Sequence, residues 1–207
     1  MTAILLASGG LDSTTLFYHL QETGVEVTPV FFDYGQHCVE TEWGCLRKSL
    51  PSDLAIERID ISSIYKYSGS RMIREADPWM EEVTDSQLYL PYRTFLFFSV
   101  GASFAQTFGA KEVYSGYINS NHAKELDCTA EFFNQLDAFT DSIGPVRFSL
   151  PFKEWSKQQV VEEAVRLGVD IGSTFSCQLF GDTPCGACPN CVERIAAING
   201  FRERNHV

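Results

Sequence analysis

Residues 3–14 read Ala3-Ile4-Leu5-Leu6-Ala7-Ser8-Gly9-Gly10-Leu11-Asp12-Ser13-Thr14. The first five are a short apolar run, as expected of a strand buried on both faces. Two glycines then break the run, and Leu16, Phe17 and Leu20 recur at helical spacing, with Gly24 placed to end the helix. A strand, a glycine-rich turn and a helix N-terminus make an anion site. The glycines let the backbone approach a ligand, and the first-turn N–H groups and the helix dipole favour negative charge. A phosphate loop of the GxxxxGK[ST] type is excluded, because no lysine follows the glycines, and the GxGxxG dinucleotide fingerprint is absent. The glycines alone are also compatible with a plain βα connection. Three hydroxyls and an acid beside them make the segment more specific than that.

Charge points the same way. The first Lys or Arg of the chain is Arg47, after six acids: Asp12, Glu22, Glu26, Asp33, Glu40 and Glu42. An anion held by this first quarter therefore needs backbone N–H groups, hydroxyls or a metal ion. The whole chain of 207 residues carries a formal charge of −11, which argues against a protein that coats nucleic acid or lies on a membrane as a basic module. No apolar run approaches the roughly 18 to 20 residues of a membrane-spanning helix. The N-terminus lacks the basic region of a signal peptide, so the expected location is cytoplasmic.

Beyond the first unit, strands and helices continue to alternate. Val25 to Phe32 reads as a second buried strand, with Asp33-Tyr34-Gly35-Gln36 at its C-terminal end, the ligand edge of an open α/β sheet. A helix over 37–50 and a strand over 54–61 follow. Residues 62–90 suit either a lid over the site or a surface loop with a short helix. A helix over 93–108 ends at Gly109; strands are expected at 112–117 and 146–150, and helices at 128–141 and 156–167, the last ended by Gly168. The pattern predicts a Rossmann-like, doubly wound, five-stranded parallel sheet over 1–170. A tail over 171–207 is expected to pack on it.

That tail holds four of the seven cysteines. Cys177, Cys185, Cys188 and Cys191 are spaced C-x7-C-x2-C-x2-C. In an acidic chain of reducing surroundings this clustering favours a metal over disulfides. Four thiolates close a tetrahedral zinc site with no open position, which is a structural rather than a catalytic arrangement. An iron–sulfur cluster is the competing reading. Cys38 and Cys45 look like core residues.

SGGLDST resembles the SGGxDS pyrophosphate loop of the PP-loop, N-type ATP pyrophosphatases, which cleave ATP to AMP and pyrophosphate. With DYGQ after the second strand and FSC-x7-CGxCxxCxxR at the tail, the chain resembles the 7-cyano-7-deazaguanine synthase (QueC) family. Leu90-Pro91-Tyr92-Arg93, Ser115-Gly116, Asp127-Cys128, Pro151-Phe152 and Ser156-Lys157 extend the likeness over nearly the whole length. The resemblance implies a homodimeric ligase that adenylates the carboxylate of 7-carboxy-7-deazaguanine. Ammonia then gives an amide, and a second ATP drives dehydration to the nitrile. ATP with Mg²⁺ would be held by Ser8, Gly9, Gly10, Leu11, Asp12, Ser13 and Thr14, with adenine and ribose near Tyr34, Gly35 and Gln36. Asp12, Ser13 and Arg93 are the catalytic candidates, and Arg93, Ser115, Gly116, Asp127 and Cys128 the substrate-binding ones. Asp127 suits the N–H edge of a deazaguanine, or a helix N-cap for the segment from Cys128. Arg93 can instead make a surface ion pair, and Lys153 and Lys157 are further candidates to approach phosphates.

The departures from the family pattern lie at the substrate end. YGQRH becomes Tyr34-Gly35-Gln36-His37-Cys38, PxRN becomes Pro91-Tyr92-Arg93-Thr94, and SGYPDCR is divided between Ser115-Gly116-Tyr117 and Asp127-Cys128-Thr129. They leave open a QueC-like ligase that stops at an amide on another amine, such as a protein's, as suggested for members of antiviral operons. A tRNA thiolase and an inert nucleotide-binding module are the remaining alternatives.

Overall fold

Strand β1 (Ala3–Leu6) is buried along its whole length, and its side chains divide between two cores. Ala3 and Leu5 face one apolar cluster, Ile4 and Leu6 the other. This is the signature of a central strand covered on both sides. The computed structural model describes residues 2–74, 85–118 and 129–205. They form a five-stranded, all-parallel sheet in the order β3-β2-β1-β4-β5. The strands are β2 (Val27–Asp33), β3 (Glu57–Asp60), β4 (Glu112–Ser115) and β5 (Arg147–Ser149). Helices α1 (Leu11–Glu22) and α2 (Val39–Ser49) follow β1 and β2; α3 (Ser62–Tyr65) and α4 (Asp85–Leu88) are single turns. Then come α5 (Arg93–Thr107), α6 (Ala130–Ile143), α7 (Lys157–Arg166) and α8 (Pro189–Asn205).

The chain runs outward from β1 in both directions, so the strand order reverses between β1 and β4. The crevice beyond the carboxyl ends of those two strands is where such sheets take ligands. Leu6 pairs with Ser115, which sets the loop after β1 directly beside the loop after β4. One face carries α1, α7 and α8, with Leu16, Phe17, Phe152 and Val160 fully buried; the other carries α5 and α6 around Phe98. The two Phe–aromatic stacks, Phe152 on Trp155 and Phe32 on Phe97, anchor these layers.

The expected fold is therefore present, with edges moved. The third strand pairs only over Glu57–Asp60 rather than 54–61; it is an edge strand that joins the carboxyl half of β2, from Val30 to Asp33. The sixth helix begins at Ala130, not Cys128, and its N-cap is Thr129, whose hydroxyl accepts from the Phe132 N–H at 3.1 Å. The cap role offered to Asp127 thus belongs to Thr129. Asp127 and Cys128 themselves lie outside the described residues. The helix-ending glycines Gly24, Gly109 and Gly168 all take positive φ, as expected. The described parts of 62–90 include α3 and α4 and are tied together where Arg71 N–H donates to the Gln87 carbonyl at 2.8 Å. No described helix is long and apolar enough to cross a membrane.

Candidate functional site

The loop after β1 turns through Gly9, at φ +74°. Any side chain there would meet α2: a Cβ would stand 2.3 Å from the Glu42 carbonyl oxygen. Gly9 is thus needed both for its left-handed conformation and for the close seat of α2 beneath the loop. Gly10 caps α1 with extended backbone and no side-chain cap, so the first turn keeps N–H donors that no capping side chain satisfies. The loop braces itself: Ser8 N–H donates to Ser13 Oγ at 3.2 Å, Gly10 N–H to Ser8 Oγ at 3.3 Å, and Ser13 Oγ to the Gly10 carbonyl at 3.3 Å. Gly116 backs the same turn from β4, where a Cβ would lie 3.0 Å from Ser13 N.

These elements open on a cavity of about 330 Å³. Of the loop, Ser8, Gly10, Leu11, Asp12 and Ser13 line it, while Gly9 and the fully buried Thr14 stand behind. The Thr14 hydroxyl is buried without a hydrogen-bond partner. Tyr34 and Gln36 line it from the end of β2; Gly35, at φ +83°, only shapes their turn. Arg93, Ser115 and Gly116 complete the expected set, so most of the residues singled out in the sequence converge on one place. Met72 and Leu88, from the segment of unassigned role, also form part of the wall.

The cavity is not short of cations, contrary to the look of the first quarter. Lys157, the first residue of α7, sets its Nζ 2.8 and 2.6 Å from the two Asp12 oxygens, and its side chain is 11% exposed. A capping box of Ser156 and Gln159 fixes the start of that helix. Arg93 lies 5.9 Å from the Tyr34 ring centroid and reaches Met72 Sδ at 2.7 Å. Its backbone is set by Tyr92, the one described non-glycine residue with positive φ, at 57°. Lys153 does not reach the cavity.

Glu42 was not anticipated as a site residue. It projects from α2 into the same cavity, and its Oε2 accepts from Gln36 Nε2 at 2.9 Å. Gln36 in turn donates to the Phe32 carbonyl and accepts from Tyr34 N–H, so the amide locks the carboxylate to the β2 turn. Burial pushes the Glu42 carboxyl up to about 7, against the opposing pull of Gln36, Cys38 and Arg93. Burial also raises the Tyr34 phenol and the Cys38 thiol, with Glu42 adding to both, so the two stay neutral. An i,i+4 pattern on an amphipathic helix gives no warning of such a residue; only the seat of α2 under the loop does.

The tail supplies the remaining wall. Phe175 N–H donates to the Gly9 carbonyl at 3.0 Å, tying the tail to the loop. Ser176, Gln178, Asn190 and Glu193 face the cavity, interleaved with the cysteines. Arg194 is half-buried, donating to Thr174 Oγ1 at 2.7 Å, Ser176 Oγ at 3.0 Å and the Ile171 carbonyl at 2.6 Å. The ligand atoms of Cys177, Cys185, Cys188 and Cys191 all lie within 4.8 Å of one another, so the four can hold one metal ion. The backbone already treats them as anions. Cys177 Sγ accepts N–H bonds from Leu179, Phe180 and Cys185, each at 3.4 Å, and Cys185 Sγ accepts one from Cys188 at 3.2 Å. Cys38 is buried as core, and Cys45 is half-buried.

Comparison with known proteins agrees across the chain. The profile of the queuosine biosynthesis protein QueC matches residues 2–202. The 7-cyano-7-deazaguanine synthase of Archaeoglobus fulgidus is 32% identical, over 98% of this chain and 89% of the relative. That of Caldicellulosiruptor bescii is 31% identical, over 96% of this chain and 92% of the relative. Among solved structures, a 4-thiouridine synthetase in complex with RNA and bound ATP matches with a TM-score of 0.54 at 18% identity. The match covers 98% of this chain but only 52% of that longer one. An NMN synthetase from Francisella tularensis matches with a TM-score of 0.50 at 15% identity, over 99% and 85% of the two chains. At these identities the structural likeness is one of fold.

Proposed function

The chain belongs to the QueC family of queuosine biosynthesis, and on that premise we propose that it is an ATP-dependent carbon–nitrogen ligase making 7-cyano-7-deazaguanine from 7-carboxy-7-deazaguanine. One observation carries the reading. The SGGLDS loop ends in a helix N-terminus without a side-chain cap, at the sheet's switch point, and opens on the same cavity as Arg93 and Lys157. A carboxylate resists attack by an amine, so it must first become a mixed anhydride with AMP. That step calls for an aligned α-phosphate and a stabilised pyrophosphate leaving group, and for no protein nucleophile.

In this reading the N–H groups of the first turn of α1, with Ser8 and Ser13, hold the phosphates. Lys157 exchanges Asp12 for a phosphate oxygen as ATP enters. Asp12, so released, would help hold the Mg²⁺ that accompanies ATP, and the ion would neutralise phosphate charge. Tyr34 and Gln36 flank the nucleoside, and Arg93 takes the substrate carboxylate in a bidentate pair. Ser115, Gly116, Asp127 and Cys128 form the substrate side. The four tail cysteines would hold a structural Zn²⁺, a closed thiolate set that would add stability to the wall of the cavity. Residues 1–170 make the ATP pyrophosphatase unit and 171–207 the metal-binding tail. The protein acts as a homodimer in the cytoplasm, where its thiols stay reduced.

Purified protein with ATP, Mg²⁺, 7-carboxy-7-deazaguanine and ammonium tests this. AMP, pyrophosphate and a nitrile identified by mass spectrometry are expected; no AMP with any deazapurine acid overturns the ligase. Asp12→Ala should lower turnover by about 10²-fold or more, the scale of losing one preorganised electrostatic partner. A second reading is favoured by one detail. Thr94, where the family pattern has asparagine, is buried and bonded to the Tyr117 hydroxyl at 2.9 Å. A substrate side altered there suits a ligase that stops at an amide or joins a protein amine, and the same assay then ends at an amide mass.

A further inference from the structure

We propose that Glu42 is the proton acceptor for the amine that attacks the activated carboxylate in this cavity. The inference rests on the ligase reading and names a residue that reading does not require. When ammonia attacks the acyl adenylate, the nitrogen lone pair forms the C–N bond, and the C–O bond to AMP breaks with its electron pair leaving on the phosphate. One N–H proton must then be lost, so each amide formed releases one proton into an enclosed site. Aminolysis therefore gains from a base held at the amine, whereas formation of the adenylate from carboxylate and ATP releases no such proton.

The described acids on the cavity wall are Asp12, Glu42 and Glu193. Asp12 has both oxygens on Lys157. Glu193 stands on α8, two residues from Cys191, at the tail side. Glu42 sits under the phosphate loop, on the helix whose backbone touches Gly9, with one carboxylate oxygen fixed by Gln36 at 2.9 Å. It is aimed and held, as a base must be.

The groups around it are known from each packed element. Tyr34 and Gln36 face it from β2, Cys38 from the start of its own helix, and Arg93 from α5; the Asp12–Lys157 pair shares the cavity. The phenol and thiol are kept neutral by burial, so Arg93 is the one charge that acts on it directly. Burial raises the Glu42 carboxyl to about 7, where it can take a proton and return it to solvent in each cycle. A purely structural brace would not need an acid. A glutamine at this position offers Gln36 the same carbonyl acceptor and avoids the cost of burying an ionisable group.

Glu42→Gln in the full chain separates the two roles. Free ammonia is held constant across pH, and pyrophosphate–ATP exchange without amine is measured beside amide formation. Exchange and the KM for ATP should stay within about threefold of the parent. Amide formation should fall by about 10²- to 10⁴-fold, and the acidic limb of its kcat profile, centred near 7, should vanish. Stability gives an independent sign. A carboxyl whose folded value lies above its ordinary 4.5 costs stability as pH rises from 4.5 through 7. The variant should therefore melt higher than the parent at pH 8, with the gap closing below pH 4.5. An equal loss of exchange and amide formation would make Glu42 a positioning residue and overturn the proposal. So would an unchanged kcat profile, or a limb that disappears in Glu193→Gln instead. If the parent itself neither exchanges pyrophosphate nor releases AMP, the ligase reading falls first and this role falls with it.

Discussion

The glycine loop after β1 and the cysteine tail use the same device for opposite ends. Each is a glycine-containing turn feeding a helix, and each gathers backbone N–H groups toward negative charge. In the tail the acceptors are part of the chain: five N–H groups, from Leu179, Phe180, Cys185, Ala187 and Cys188, point at Cys177 or Cys185 sulfur. In the loop the acceptor is missing, because Gly10 gives α1 no side-chain cap. Donors and acceptors that meet within the chain add to its stability, whereas first-turn donors without a side-chain cap remain free to serve a ligand. The two are nonetheless joined, by the Phe175–Gly9 hydrogen bond and by cavity residues that alternate with the four cysteines. The Thr41 hydroxyl on the Gly181 carbonyl and His37 on the Gln178 carbonyl add to that seam.

The comparison can be broken at its strongest point first. Cys188→Ser removes one of four ligands, and metal content should fall from about one per chain toward zero, with the tail opening to protease at temperatures where the parent is intact. If the joint is real, ATP binding by calorimetry is lost along with it; retained binding would make the tail a separate ornament. Gly9→Ala attacks the other region. Its Cβ would meet the Glu42 carbonyl at 2.3 Å in a backbone conformation that L residues avoid, so denaturant unfolding should show a loss of about 3 kcal/mol. Metal content should be untouched, which marks the loop as the open site. The smallest expected effect is at Lys157. Lys157→Met removes the Asp12 partner and one cation, and ATP affinity should weaken about tenfold, or roughly 1.4 kcal/mol. Its thermal midpoint should move little, since a partly exposed ion pair adds little stability.

Legibility differed between these regions for a physical reason. The loop and the cysteine spacing are short-range features. Gly9 and Gly10 between an apolar run and a helix start, and C-x7-C-x2-C-x2-C, state their geometry within a few residues. The strand order was also within reach, because alternating β and α units leave few parallel arrangements. Edges were less legible: 54–61 alternates throughout but pairs with β2 only over Glu57–Asp60, and Thr129 takes the cap by standing one residue before the helix.

What the sequence determined by itself was the make-up of the two turns: a glycine-rich βα loop at a helix N-terminus and four cysteines spaced to hold a metal. What only the tertiary structure decided was the charge inside the cavity. The first cation of the chain comes at Arg47, yet Lys157 reaches Asp12 across 145 residues of sequence, and Arg93 enters from another helix. Glu42 acquires its raised carboxyl through burial against groups from β2 and α5, the latter distant in sequence. Backbone conformation is set by neighbours along the chain. Electrostatic environment is set by neighbours in space, and those exist only once the sheet has brought its carboxyl ends together.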